Sequence, residues 1–345
     1  MAIRLRTVMW SLLALAVVLL IGMITAVGWQ VVLGPKMRPV TARRFDATPA
    51  RLARGQYLVE GVAGCFHCHS DHDLTNPEYP VIPSLKGAGW VMPIPELGRL
   101  VAPNITPDRE TGLGTWTDDE IARAIQEGVD KNGRALFPLM PWPNYRHLTD
   151  EDLASTVVYL RSIPAVRHAV PATKLIVPLN VLVKTMPQPL TRPEPLPQAS
   201  VVEQGAYLVT VASCRDCHST ADDRGMRLAG MDLAGGNPFH LPEDLSKQIV
   251  SANITPDASG IAHYDDDLFI ETLRTGRLPG RSLSFIMPFE NFRNLTDDDL
   301  KAMFAYLRTV AAVKHNVTNN DPPTACPIDG RMHGLGAMNV SGAKK

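Results

Sequence analysis

Two runs of this 345-residue chain set a pair of thiols and an imidazole in a fixed relation: Cys65-Phe-His-Cys68-His69 and Cys214-Arg-Asp-Cys217-His218. Thiols three residues apart on a helical turn both reach the vinyl groups along one haem edge and can form thioethers there. The histidine that follows projects its imidazole toward the iron from the proximal side. Cys-x-x-Cys-His is the attachment pattern of c-type haem, so the two runs predict two covalently bound haem c groups. Other uses of paired thiols fit less well. A zinc site made from the four cysteines would need one metal shared between distant runs. A thioredoxin-like redox pair would need a βαβ context, and no convincing strand pattern accompanies either run. Cys326 stands alone and reads as a structural or incidental thiol.

The two motifs sit in two copies of one module. Gly55-Gln-Tyr-Leu-Val recurs as Gly205-Ala-Tyr-Leu-Val, Asn104-Ile-Thr-Pro-Asp as Asn253-Ile-Thr-Pro-Asp, and Leu148-Thr-Asp-Glu-Asp-Leu as Leu295-Thr-Asp-Asp-Asp-Leu. Landmarks in the same order mark an internal duplication. The repeat also selects a second iron ligand. Met140-Pro141 and Met287-Pro288 stand before the last helix of each copy, 71 and 69 residues after His69 and His218. A methionine is more often core filler, but equivalent placement in both copies argues for distal ligation, which stabilises reduced iron and closes the site. The expected metal ligands are therefore His69 with Met140 and His218 with Met287. Met92, Met186, Met226, Met231 and Met303 lack a counterpart and read as packing residues. His67 is expected to face outward. His72, His147, His168, His240, His263 and His315 read as surface or polar-contact residues, with His72 or His240 as substitutes for methionine on one iron. Asn104 and Asn253, with their threonines, either donate to a haem propionate or shape a turn. Trp116 and Tyr264 occupy equivalent places and are expected to pack on haem.

Helix signals bracket these residues. Helices are expected over 51–63, from Thr117 to about Glu127, and from Thr149 to just before Pro164, each of the latter two with a threonine cap and early acidic residues. The second copy repeats them near 200–212, 265–275 and 296–310. The fold class is mainly α: two tandem haem domains, 46–163 and 200–313, after an N-terminal transmembrane helix in 1–34. Residues 164–199 hold eight prolines and read as a semi-rigid linker, within which the apolar run 175–183 packs on a haem domain or a partner. The tail, 314–345, ends in a Gly-rich, basic stretch that reads as mobile.

Between Arg6 and Lys36 there is no charge, and Val8–Val27 is apolar except for Ser11 and Thr25. A bilayer core takes about 20 such residues, whereas signal peptides have shorter apolar regions, about 7–15 residues. An uncleaved signal-anchor is expected, with cleavage near Ala26–Gly28 as the alternative. Lys36, Arg38, Arg43 and Arg44 outnumber Arg4 and Arg6, which by the positive-inside rule leaves orientation open or reversed; covalent haem attachment places the motifs on the outer side. Net charge is −1, which excludes an electrostatic case for nucleic acid. Residues 51–163 hold ten Lys/Arg against fifteen Asp/Glu, and residues 200–313 ten against sixteen. These acidic surfaces either are simply solvated or dock a basic partner.

Cys-x-x-Cys-His after a short helix, with Met-Pro before a terminal helix, resembles class I cytochrome c domains. The Asn-Ile-Thr-Pro-Asp segment, Trp116-Thr-Asp-Asp-Glu and the Met-Pro-x-x-x-x-Arg-x-Leu-Thr-Asp run resemble the cytochrome c subunits of bacterial membrane-bound alcohol and gluconate dehydrogenases, which carry three haem modules where this chain has two. The resemblance implies an electron carrier rather than an enzyme, on the periplasmic side of the inner (cytoplasmic) membrane. Its donor would be a periplasmic or membrane-bound dehydrogenase, and its acceptor quinone, a cytochrome or a terminal oxidase. A di-haem peroxidase-like enzyme, or a haem-bearing structural subunit of a respiratory complex, is the alternative.

Overall fold

Side chains start the helices. Thr117 and Ser200 each form a reciprocal capping box, with Glu120 and Glu203 three residues on. Thr149 and Thr296 accept from the backbone of Asp152 and Asp299, at 3.0 and 3.2 Å. Acidic residues crowd these first turns, where the helix dipole favours them. The computed structural model describes residues 2–340 apart from 77–78, 223–224 and 242–243. Its longer helices are Ala2–Val27, Pro49–Tyr57, Asp118–Glu127, Asp150–Ser162, Val201–Val211, Asp266–Thr275 and Asp297–Leu307. The first repeat departs slightly from expectation, because its leading helix widens into a π-turn over Leu58–Val62 just before the motif.

In each repeat the first helix crosses the last. The crossing is close because Gly55 and Gly205 have no side chain: a Cβ there would stand 2.1 Å from Ser155 O and 1.9 Å from Ala302 O. Leu58, Val59, Leu153 and Val157 fill one crossing, and Leu208, Val209, Leu300 and Phe304 the other, all essentially inaccessible. The two crossings join in one apolar cluster. They also exchange polar contacts. Tyr57 donates to Asp299 of the other repeat, and its counterpart Tyr207 donates to Asp152. Arg54 clasps Asp152 within its own repeat at 2.7 and 2.8 Å, as the equivalent Gln204 reaches Asp299 at 3.3 Å. The same patch on each repeat thus meets its twin, the arrangement of an isologous two-fold interface.

Helix makes up about 39% of the chain and strand 12%. The mainly helical expectation holds, but strands are present: five two-stranded ladders among the described residues. Most are two residues long per strand, too short to leave an alternating pattern. The linker is not structureless either. Lys174–Leu175 pairs with Gly98–Arg99 and a helical turn follows at Leu179–Leu182, so this stretch lies on the first repeat. The tail is folded to residue 340, with Thr318–Ala325 paired to Met332–Gly334; its basic end, 341–345, lies outside the described residues.

The N-terminal helix contains an apolar stretch, Arg6–Ala26, with mean hydropathy 2.5 and none of it buried. Beyond it the chain is strapped to the first repeat. Arg38 reaches Asp119 at 2.7 and 2.8 Å and Glu127 at 2.6 Å, and Thr41 donates to Asp119 from its backbone at 2.6 Å. Burial pushes the Asp119 carboxyl up, but the Arg38 and Thr41 contacts outweigh it and hold it below the usual range. Its contribution is therefore present above the unfolded carboxylate value, about 3.9, and lost as pH falls through the lower folded value. Removing one partner of a buried pair is the costly change, so Arg38→Met is expected to destabilise the first repeat by about 3 kcal/mol at neutral pH. Denaturant unfolding of the full chain in detergent, against wild type, checks this; a loss under about 0.5 kcal/mol, the range of ordinary surface substitutions, would refute it.

Candidate haem sites

Each motif begins at a sharp reversal. Gly64 and Ser213 hold left-handed backbone, with φ of 56° and 60°, and turn the chain from the first helix into Cys65–Cys68 and Cys214–His218. The reversal is held from the other repeat. Asn144 donates to Ser213 Oγ at 3.1 Å and to Asp216 at 2.7 Å, and its counterpart Asn291 rests its amide on Gly64. Both asparagines belong to the short helices that follow Met-Pro, Trp142–Tyr145 and Phe289–Phe292. Each Met-Pro turn therefore helps shape the opposite Cys-x-x-Cys-His.

The imidazoles are aimed identically. His69 Nδ1 donates to Pro103 O and His218 Nδ1 to Ala252 O, both at 2.7 Å. Such a bond fixes the tautomer and leaves Nε2 with a free lone pair for a metal. Burial lowers both imidazole pKa values, and the carbonyl only partly reverses it, so both rings are neutral at pH 7 and able to ligate. The two carbonyls precede the repeated Asn-Ile-Thr-Pro segments, and those asparagines are turn-makers. Asn104 Oδ1 accepts from Thr106 N and Oγ1 at 2.9 and 2.7 Å, while its Nδ2 donates to Val166 O at 2.8 Å. Asn253 repeats the pattern with Thr255 and Val313, at 2.9, 2.8 and 2.8 Å. Of the two readings open for these residues the turn is observed, and it pins the carbonyl that orients the histidine.

The thiols lie in the same apolar setting. Desolvation pushes Cys65, Cys214 and Cys217 up to about 12 and Cys68 to about 11, so all four are neutral thiols at pH 7 rather than thiolates ready for a soft cation. Cys68 contributes to the rise at Cys217, which sets the two motifs side by side across the repeat interface.

A cavity of about 1710 Å³ runs along all of this. Its walls include both motifs, His69 and His218, Met140 and Met287, and the equivalent aromatics Trp116 and Tyr264. Single-ligand pockets run roughly 300–1,000 Å³, so the volume and the two donor sets fit two large flat apolar groups. The haem that the motifs imply is compatible with the residues present: thiols on the wall, a free Nε2, and apolar sides. Met140 and Met287 are half-buried in matching turns, with Trp142 N and Phe289 N each donating to the methionine carbonyl at 2.7 Å.

Other expectations need correction. His67 is half-buried and faces the cavity, its ring beside His72 and Phe285, and burial lowers it to about 4. Of the two roles open for His72 the polar contact is observed: it is buried, and both ring nitrogens are bonded, to Tyr79 O and His67 O, so it has none left for iron. His240 lies on an exposed ladder outside the cavity wall, bonded to Leu245 O and Gln248. His315 is fully buried. Met92 and Met303, which have no repeat counterpart, also reach the cavity wall.

Removing the Asn253 side chain leaves Thr255 N and Val313 O without their partner, a cost of about 1–3 kcal/mol. Asn253→Ala is expected to loosen His218 and spare His69, and Asn104→Ala the reverse. Reductive titration of the holoprotein checks this, with only one of two redox steps displaced; equal displacement of both steps would contradict it.

No family model matches the chain. It is similar to a cytochrome c subunit of quinone-dependent alcohol dehydrogenase from Gluconobacter oxydans, 25% identical over 88% of this chain and 64% of the relative. It is 27% identical to the gluconate 2-dehydrogenase cytochrome c subunit of Pantoea cypripedii, over 77% of this chain and 61% of the relative. A di-haem c-type cytochrome of Cereibacter sphaeroides is 26% identical over 80% of this chain and 92% of its own length. The chain thus spans less than two thirds of the two dehydrogenase subunits and nearly all of the di-haem protein. Along most of its length, this chain is similar to the cytochrome c subunits of bacterial alcohol and gluconate dehydrogenases and to a di-haem cytochrome c.

Proposed function

We propose that the chain is a membrane-anchored periplasmic electron carrier with two haem c groups, receiving electrons from a dehydrogenase partner. The observation that carries this reading is the single cavity lined by two equivalent donor sets, each with a Cys-x-x-Cys-His run, an oriented imidazole and a Met-Pro turn. The tandem class I haem domains are 46–163 and 200–313, connected through 164–199, with 314–345 behind the second. Cys65 and Cys68 attach one group and Cys214 and Cys217 the other. His69 and Met140 ligate the first iron, His218 and Met287 the second. When bound, haem supplies one-electron redox chemistry, and the chain supplies position and electronics.

The protein's own part follows from its walls. Pro103 O and Ala252 O hold each imidazole in one tautomer, so ligation needs no reorientation. Met140 and Met287, which line the same cavity, would hold the second ligand position of each group, and a filled position would favour electron transfer over reaction with small oxidants. Apolar walls exclude water and limit reorganisation when the charge on the site changes. Helix Arg6–Ala26 anchors the chain in the inner membrane and keeps the haem domains near membrane partners. The acceptor is quinone, a cytochrome or a terminal oxidase.

Mass spectrometry of the holoprotein is expected to show two covalent haems, and one in the Cys65→Ala/Cys68→Ala variant. The oxidised protein should be low-spin with a methionine–iron charge-transfer band. Met140→Ala and Met287→Ala should each remove about half of that band, on the basis that each iron has one thioether ligand. A high-spin haem in the oxidised wild type, peroxidase turnover, or a methionine variant with an unchanged spectrum would defeat the assignment. Co-purification of a dehydrogenase from solubilised membranes tests the donor.

A further inference from the structure

Outside the cavity, four metal-binding side chains converge behind the second repeat. His315, Cys326, Asp329 and His333 present Nε2, Sγ and carboxylate oxygen atoms that all lie within 4.8 Å of one another. His315 Nε2 stands 3.6 Å from Asp329 Oδ2 and 3.6 Å from Cys326 Sγ, and His333 Nε2 stands 3.6 Å from Asp329 Oδ2. We propose that these four residues bind one structural zinc ion, which fastens the C-terminal segment onto the second repeat.

The protonation pattern argues for a cation. His315 Nδ1 donates to Ala234 O at 3.0 Å and His333 Nδ1 to Gly334 O at 3.2 Å. A carbonyl only accepts, so each Nδ1 carries a proton, and in the neutral rings that a metal requires both Nε2 atoms turn lone pairs inward. They meet a carboxylate oxygen and a sulfur, so four electron-rich atoms face one centre. At 3.6 Å the nitrogen–oxygen pairs are too long for hydrogen bonds. Asp329 Oδ2 and His333 Nε2 are fully buried with no hydrogen-bond partner. Leaving such atoms unmatched is costly, and a divalent ion at the centre satisfies all four.

The geometry and donor set select the metal. In a tetrahedral zinc site, with bonds of about 2.0–2.3 Å, neighbouring donors stand roughly 3.3–3.6 Å apart. The three 3.6 Å edges match this, and the remaining ones, up to 4.8 Å, need to close by up to about 1.2–1.5 Å. Two imidazoles, a thiolate and a carboxylate are each zinc ligands, and with all four positions filled by protein the site is closed, as structural zinc sites are. A blue-copper site has a weak thioether in place of the carboxylate, and a two-histidine, one-carboxylate iron site keeps positions open. The outer contacts also fit. The two imidazoles are fixed by carbonyls, Asn339 Nδ2 donates to Cys326 Sγ at 3.4 Å, and Asp329 Oδ1 accepts from Arg331 N at 3.0 Å.

The ligands come from a knuckle and a distant strap. Cys326 and Asp329 flank the turn between Thr318–Ala325 and Met332–Gly334, His333 is on the returning strand, and His315 precedes the hairpin. Arg331 of the same turn donates to Asn237 Oδ1 at 3.0 Å, and Asn237 donates to Cys217 O at 2.8 Å. Asn319 brackets Val250 from both sides, at 2.8 and 3.0 Å, and lines the cavity. The ion thus holds the segment that closes one side of the second haem domain.

The test is elemental analysis of the full-length holoprotein, purified in detergent without chelators. One zinc per chain is expected besides haem iron, with X-ray absorption at the zinc edge giving one sulfur at about 2.3 Å and three lighter donors at about 2.0–2.2 Å. Cys326→Ser and His333→Ala should each lower retained zinc at least tenfold with covalent haem unchanged, and chelation should expose the tail to limited proteolysis. Wild-type protein without zinc even after zinc is supplied, copper or iron in its place, no sulfur neighbour, or full zinc in the Cys326→Ser/His333→Ala double variant would each overturn the proposal. Because the metal is measured on wild type, a variant that fails to fold leaves the test intact.

Discussion

The contact on which the cavity depends is the reciprocal tyrosine–carboxylate exchange between repeats. Tyr207 is completely buried, and its hydroxyl has no water to turn to, so Asp152 is the partner that makes its burial tolerable. Asp152 in turn is held by both Tyr207 and Arg54. Tyr57 and Asp299 repeat the logic less deeply, and burial together with that carboxylate pushes the Tyr57 hydroxyl up to about 12, so it stays a donor. Because residue and partner lie on equivalent helices, satisfying one contact by a two-fold rotation satisfies the other. The same rotation carries Asn144 onto the Cys214 motif and Asn291 onto the Cys65 motif, which is why two haem motifs some 150 residues apart share one cavity.

Within each repeat a shorter chain of dependence ends at the imidazole. An asparagine side chain ties its own threonine to the strand of chain that follows the last helix, at Val166 or Val313. That closure presents the preceding carbonyl, Pro103 O or Ala252 O, to the histidine. Each Nε2 is aimed by a hydrogen bond at the far side of the ring, and that bond is set by a turn that does not touch Nε2. Such outer contacts normally matter about tenfold or more for metal sites.

What was legible in the residues was whatever repeats or follows a local rule. The motifs, the Met-Pro pairs and every capped helix are local, and duplication supplied an internal control on each. The asparagine turns were visible as a repeated string, but not their purpose, because Val166 and Val313 are about 60 residues away. The two-residue strands leave no alternation to read. The linker and the tail were legible only in part: proline and glycine content describes local stiffness, and says nothing of Leu175 pairing across to Gly98 or of Asn319 bracketing Val250. The quartet at His315 was hidden by spacing. Cys-x-x-Asp-x-x-x-His with a histidine eleven residues upstream matches none of the familiar paired-cysteine patterns, so a lone cysteine and scattered histidines were all that showed.

The basic residues after the N-terminal helix illustrate how folding changes the meaning of a charge count. Counted along the chain they oppose the proposed orientation. In the structure Arg38 is consumed by Asp119 and Glu127, and Arg43 faces Asp150 at 3.1 Å. These two belong to the electrostatics of the first repeat and not to a free juxtamembrane loop, which is the setting in which the positive-inside rule applies. The same contacts limit reach. Twelve residues separate Ala26 from Arg38, which even fully extended cover at most about 40 Å. Were Arg6–Ala26 to span a bilayer, as proposed, the first repeat would stay near the membrane surface, with the second joined to it through the tyrosine–carboxylate interface. Gly34 and Pro35, at the end of the apolar segment, already line the cavity wall. On the proposed reading of that helix as an anchor, the strap would turn this edge of the cavity toward the membrane.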